Sequence, residues 1–170
     1  MAPFDVDDLR RRGFEGFLPV GQIQGPAHEE LPPASGVYVV VRTDKVPPAF
    51  LDKSGAGWWK KKDPTVSLER LQRNWVDGAE TLYIGKANCL CERVGLLLDF
   101  GGGQDVMHYG GRLLWQGERY EELQVAWREE DCFAGLETRL IDEFLEHFGR
   151  LPFANLKRGD RVVCRRIEAP

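Results

Sequence analysis

The chain has 170 residues, 42% hydrophobic and 29% charged, a length and balance that suit one compact soluble domain with a continuous core. A formal net charge of −4 argues against a protein that coats polyanions indiscriminately. No apolar run reaches the length of a membrane span, and the start MAPFDVDDLRRRGF lacks the apolar stretch of a signal peptide, so a cytoplasmic location is expected.

In chain order, residues 5–12 suit a short helix, and residues 19–35 form a connector punctuated by Pro and Gly. Residues 37–41 are a continuous β-branched run around Tyr38 and predict a buried strand. Residues 43–66 hold Pro47-Pro48, Gly55, Gly57, Trp58-Trp59 and Pro64 and predict an irregular insertion. Ser67 caps a helix expected to run to about Trp75, and Asp77-Gly78 turns the chain into a second strand, 81–86. Leu90, Val94, Leu97 and Leu98 recur at helical spacing up to the glycines at 101–103. Residues 112–116 fit either a short strand or a helix. Leu123, Val125 and Trp127 alternate as a third strand. Leu136, Leu140, Ile141, Phe144, Leu145 and Phe148 mark an amphipathic helix stopped by Gly149. The result is a small α/β (α+β) domain on a short, mostly antiparallel three-stranded sheet flanked by helices. Its parts are an N-terminal extension 1–34, a core 35–156 with an insertion at about 43–80, and a basic tail 157–170.

Several residues break the apolar pattern. Tyr38 and Tyr83 put phenol oxygens into apolar strands, where each oxygen needs a partner or water. At 100° per residue Glu137 falls within roughly 40° of Ile141, Phe144 and Phe148, so a carboxylate points towards a packed face. It reads either as a local ion pair at the rim or as a ligand for a hard divalent cation. Arg93 flanks the apolar face of its own helix, as a phosphate clamp or as a snorkelling side chain. The four cysteines, Cys89, Cys91, Cys132 and Cys164, follow no disulfide or zinc spacing and read as reduced structural thiols.

The segments GVY at 36–38, YIGK at 83–86, LxxR at 90–93, the helical Glu137 and PFAN at 152–155 together resemble the GIY-YIG nuclease family. The resemblance runs from about residue 35 to 156. It implies a metal-dependent endonuclease hydrolysing DNA, with a single Mg²⁺ or Mn²⁺ on Glu137. It further implies Tyr38 as the group activating water, Tyr83 as its assistant, Lys86 and Arg93 on the phosphate, and Asn155 ordering the site. Leu97 stands where many members carry His or Tyr, and His108 or Tyr109 is placed to fill that gap from a loop; a surface histidine is the other reading. The long 39–82 separation between the tripeptides brings in Trp58-Trp59 and Lys60-Lys61-Lys62. These residues, with Arg112, are candidates for nucleic-acid contact; the other reading of the insertion aromatics is that they seal it onto the domain. RNA as substrate, and an inactive module binding nucleic acid or protein on the same scaffold, stay open, as do a protein partner and a homo-oligomer.

Overall fold

The computed structural model describes residues 2–23, 30–162 and 164. Its centre is β2 (Gly36–Val41), buried along its whole length because both faces of the sheet are covered. β2 pairs antiparallel with β3 (Thr81–Ala87) on one side and with β4 (Gln124–Glu129) on the other. α4 (Leu90–Gly101) and a 3₁₀ stretch (Tyr109–Gln116) pack on one face. α5 (Phe133–Phe148) lies on the opposite face through Leu136, Leu140, Ile141 and Phe144, and Gly149 ends it in the left-handed region at φ 72°. α3 (Leu68–Asn74) carries the expected cap, Ser67 accepting from the Arg70 amide.

The sheet has four strands among the described residues, not the three expected. The strand missed by the sequence reading is β1 (Glu15–Pro19), which pairs antiparallel with β4 and gives the order β1-β4-β2-β3. A bulge hides it: Gly16 and Phe17 both have positive φ, at 91° and 53°, and the register jumps between Gly16 and Leu18. The alternation that marks a strand is thereby lost. Glycine is also required at 16, because a Cβ there would run into the Trp127 ring. Residues before 35 belong to the core as well, since Phe4, Leu9 and Phe14 join the cluster beneath α5. α1 (Val6–Arg11) starts on an Asp5 cap, and α2 (Val20–Ile23) follows β1 directly. Phe4 meets Phe144 edge-on at 5.1 Å, and Arg12 bridges Asp8 and Glu143.

Cys132 and Cys164 do pair, contrary to the reading of four reduced thiols; their Cα atoms are 6.0 Å apart. Their 32-residue separation follows no recognisable spacing, and only the return of the chain along α5 brings them together. Arg158 on the same return bonds Asp142 of α5. Arg165 and Arg166, also counted in the basic tail, lie outside the described residues. Among the described residues no helix is long and apolar enough to cross a membrane.

Candidate active site

The two tripeptides meet because β2 and β3 are neighbours with Tyr38 opposite Gly85. The Tyr38 ring lies across that glycine, and a Cβ at 85 would stand 2.5 Å from Tyr38 Cζ. Gly36 is required for a different reason: a Cβ there would strike the Arg128 carbonyl and the Leu90 side chain. In both tripeptides the glycine is therefore a space requirement set by a packed neighbour.

Tyr38 and Tyr83 rings lie 5.9 Å apart on the α4 face of the sheet. The Tyr38 hydroxyl sits 2.9 Å from His108 Nε2, so the loop histidine, and not Leu97 of α4, meets the tyrosines. Leu97 is fully buried and its Cδ1 lies near Gly111 instead. Tyr38 is 0% exposed, His108 1% and Tyr83 8%. Burial, reinforced by the adjacent Tyr83, holds the Tyr38 phenol well above its usual range, against the pull of Arg93. Burial likewise raises Tyr83, while Tyr38 and Arg93 act in the opposite direction. His108 is pushed down to about 3, first by burial and then by Arg93. All three groups are neutral at pH 7. His108 Nδ1 is buried with no hydrogen-bond partner.

Arg93 is the cation closest in effect to this cluster, since it biases all three ionisations. Its guanidinium bonds the Met107 carbonyl at 3.3 Å, and no carboxylate pairs with it among the described residues. It thus presents unspent donors beside two phenols.

Lys86 and Glu137 approach from the other face. Lys86 lies opposite Val37, and its ammonium meets the Glu137 carboxylate at 2.7 Å. Glu137 is 13% exposed at its side chain, and its charge reaches Tyr83. The ion-pair reading of Glu137 describes this arrangement, and a cation already occupies one side of the carboxylate. Among the described residues no three His, Cys, Asp or Glu side chains gather as a ready-made metal cage. A Mg²⁺ held by one carboxylate and several waters requires none.

Asn155 stays outside the cluster. Its amide oxygen accepts from the Ile84 N–H at 2.9 Å and its nitrogen donates to the Ile84 carbonyl at 2.8 Å, so it substitutes for a neighbouring strand on the free edge of β3. Through Ile84 it fixes the segment that carries Tyr83 and Gly85. Arg112 stacks over Tyr109 at 4.3 Å, half-buried, with its Nε unpartnered. An aromatic-walled cavity of about 110 Å³ between Phe50, Trp75 and Phe153 includes none of these groups.

Compared with known proteins, the chain matches no family model, no curated protein and no solved structure.

Proposed function

We propose that the chain is a divalent-metal-dependent endonuclease of the GIY-YIG type, hydrolysing DNA phosphodiester bonds. The observation that carries this reading is the Tyr38, Tyr83 and His108 cluster beneath Arg93, a guanidinium with no carboxylate partner among the described residues. Buried phenols joined to a neutral imidazole suit proton transfer, and an unpaired guanidinium suits a phosphate.

Burial favours Tyr83 as the hydroxyl that meets water, with Tyr38 behind it as a relay. In that sequence water gives a proton to the Tyr83 oxygen as the Tyr83 proton passes to Tyr38. The Tyr38 proton goes to His108 Nε2, and the resulting hydroxide bonds phosphorus as the P–O bond to one strand end breaks, the departing oxygen taking a proton from solvent. His108 is a weak base first because it is buried and then because Arg93 stands uncompensated. A phosphodiester paired with Arg93 offsets the second of these effects, so His108 becomes a better acceptor when substrate is bound, while its burial still weakens it. Glu137 would hold Mg²⁺ or Mn²⁺, which supplies Lewis-acid polarisation of a phosphoryl oxygen. With a cation on Glu137, Lys86 would be free to offer its ammonium to the phosphate.

The test is digestion of plasmid, branched and single-stranded DNA with Mg²⁺ or Mn²⁺. Cleavage that stops on chelation and in Arg93→Ala is expected; absence of cleavage on all substrates overturns the reading. Matched RNA substrates distinguish the sugar. The closed Lys86–Glu137 pair supports the alternative, a non-catalytic binding module. Metal-independent nucleic-acid binding that survives Glu137→Ala, without cleavage, identifies that module.

A further inference from the structure

The turn at 58–62 combines features that local folding does not demand. Lys60 and Lys61 both have positive φ, 53° and 60°, a conformation that favours glycine and disfavours lysine. Trp58 just before them is 51% exposed, while its neighbour Trp59 packs against Tyr109 at a ring distance of 6.5 Å. Only one of the two tryptophans is therefore used to seal the insertion. None of Lys60, Lys61 and Lys62 pairs with a carboxylate among the described residues, and Lys60 is held over the Trp59 ring at 4.5 Å.

The turn is braced rather than loose. The Trp58 amide donates to Asp105 Oδ1 at 2.6 Å, and the Lys61 and Lys62 amides donate to the carbonyls of Trp58 and Trp59. The Tyr109 hydroxyl donates to the Asp63 carbonyl at 3.0 Å. These bonds tie the turn to residues 105–109, the same segment that delivers His108 to Tyr38. An exposed indole and three lysines are thus carried on a turn anchored to Asp105 and to Tyr109, the residue next to the proton acceptor His108.

We propose that the 58–62 turn is a stacking platform for an unpaired nucleobase, so that the strand cut at the tyrosine cluster carries a single-stranded segment beside the cut. The reference to a cut strand rests on the nuclease reading; the platform itself does not. The indole supplies a sequence-tolerant face for a base, and the ammonium groups follow the adjoining phosphates. A closed duplex offers phosphates but no free base face, so it engages the lysines alone.

The test is fluorescence anisotropy with a labelled oligothymidylate of about 15 nucleotides, an oligouridylate of the same length and a matched duplex, all in chelator so that no cleavage occurs. Trp58→Ala is expected to weaken oligothymidylate binding about 10-fold while duplex binding changes less than about 2-fold, with Trp58→Phe in between. Lys60→Gly with Lys61→Gly removes the charges at positions whose backbone favours glycine. It is expected to lower the salt slope on the single strand by about 1.4 without lowering the unfolding midpoint. Parallel losses with oligouridylate assign the platform to unpaired strands of either sugar. Unchanged single-strand binding in Trp58→Ala, or an equal loss on duplex, overturns the platform even if the protein cuts DNA. A protein that binds the single strand through Trp58 but cuts nothing overturns the nuclease reading and leaves the platform standing.

Discussion

The Tyr38 hydroxyl and His108 Nε2 lie 2.9 Å apart, both on side chains sealed from solvent. A buried phenol high in its ionisation range is a poor base on its own, and the imidazole gives its proton somewhere to go. Tyr38→Phe removes that link with the ring packing retained. We expect cleavage to fall by about 100-fold or more, and stability to fall by about 1–3 kcal/mol because His108 Nε2 loses its partner. Single-turnover cleavage and urea unfolding of the same preparation separate the two effects. Wild-type rates in Tyr38→Phe would remove the relay from the mechanism.

His108 also sets a pH dependence of folding. Its native value of about 3 lies below the ordinary 6.5, so the unfolded chain binds the proton more readily. The contribution to stability is therefore complete above about pH 6.5 and lost as pH falls from there towards 3. The slope from this one group approaches about 1.4 kcal/mol per pH unit in that window. Urea unfolding of wild type and His108→Gln between pH 4 and 7 checks it; parallel profiles would show that His108 is not held neutral.

Gly85→Ala tests the contact that brings the tripeptides together. The added Cβ meets the Tyr38 ring, which has β2 behind it and little room to retreat. A loss of about 1–3 kcal/mol is expected from overpacking, together with loss of cleavage. Gly78→Ala is a control of another kind, since nothing lies within 4 Å of that position and only its φ of 78° opposes the change.

Lys86 and Glu137 are expected to show opposite dependence on metal. Glu137→Gln keeps the shape of the side chain but weakens it as a cation ligand, so cleavage should require much more Mg²⁺ or Mn²⁺. Lys86→Met frees the carboxylate, so it should tighten metal binding while slowing cleavage. Titration calorimetry with Mn²⁺ reads the first quantity without reference to activity. Equal Mn²⁺ affinity in wild type and Glu137→Gln would exclude Glu137 as the ligand.

Much of the scaffold could be read from the residues because local and global requirements agree there. β2 is an unbroken apolar run because it is buried on both faces, and α5 shows its core-facing stripe because one face alone is packed. β1 was hidden because its bulge destroys the alternation on which strand recognition depends. The tyrosines and Glu137 stood out as polar groups on apolar faces. His108 was legible only as a loop candidate for the place Leu97 leaves open; its bond to Tyr38 was not, since it comes from 70 residues away on a 3₁₀ approach with no periodicity. Lys86 bonding Glu137 was similarly out of reach, being a relation between a strand edge and a helix on the far face.

The strand order has a consequence for how the chain comes together in time. β4 is the last strand to be synthesised, yet it lies between β1 and β2. Until residue 129 has been made, β1 has no neighbour and β2 keeps one open side, while the β2–β3 pair can already form. Pulse-labelled hydrogen exchange should therefore find β1 amides protected no earlier than those of β4, and later than those shared by β2 and β3. A nascent chain halted before β4 exposes two unpaired edges at once, the state in which association with other chains is most favourable.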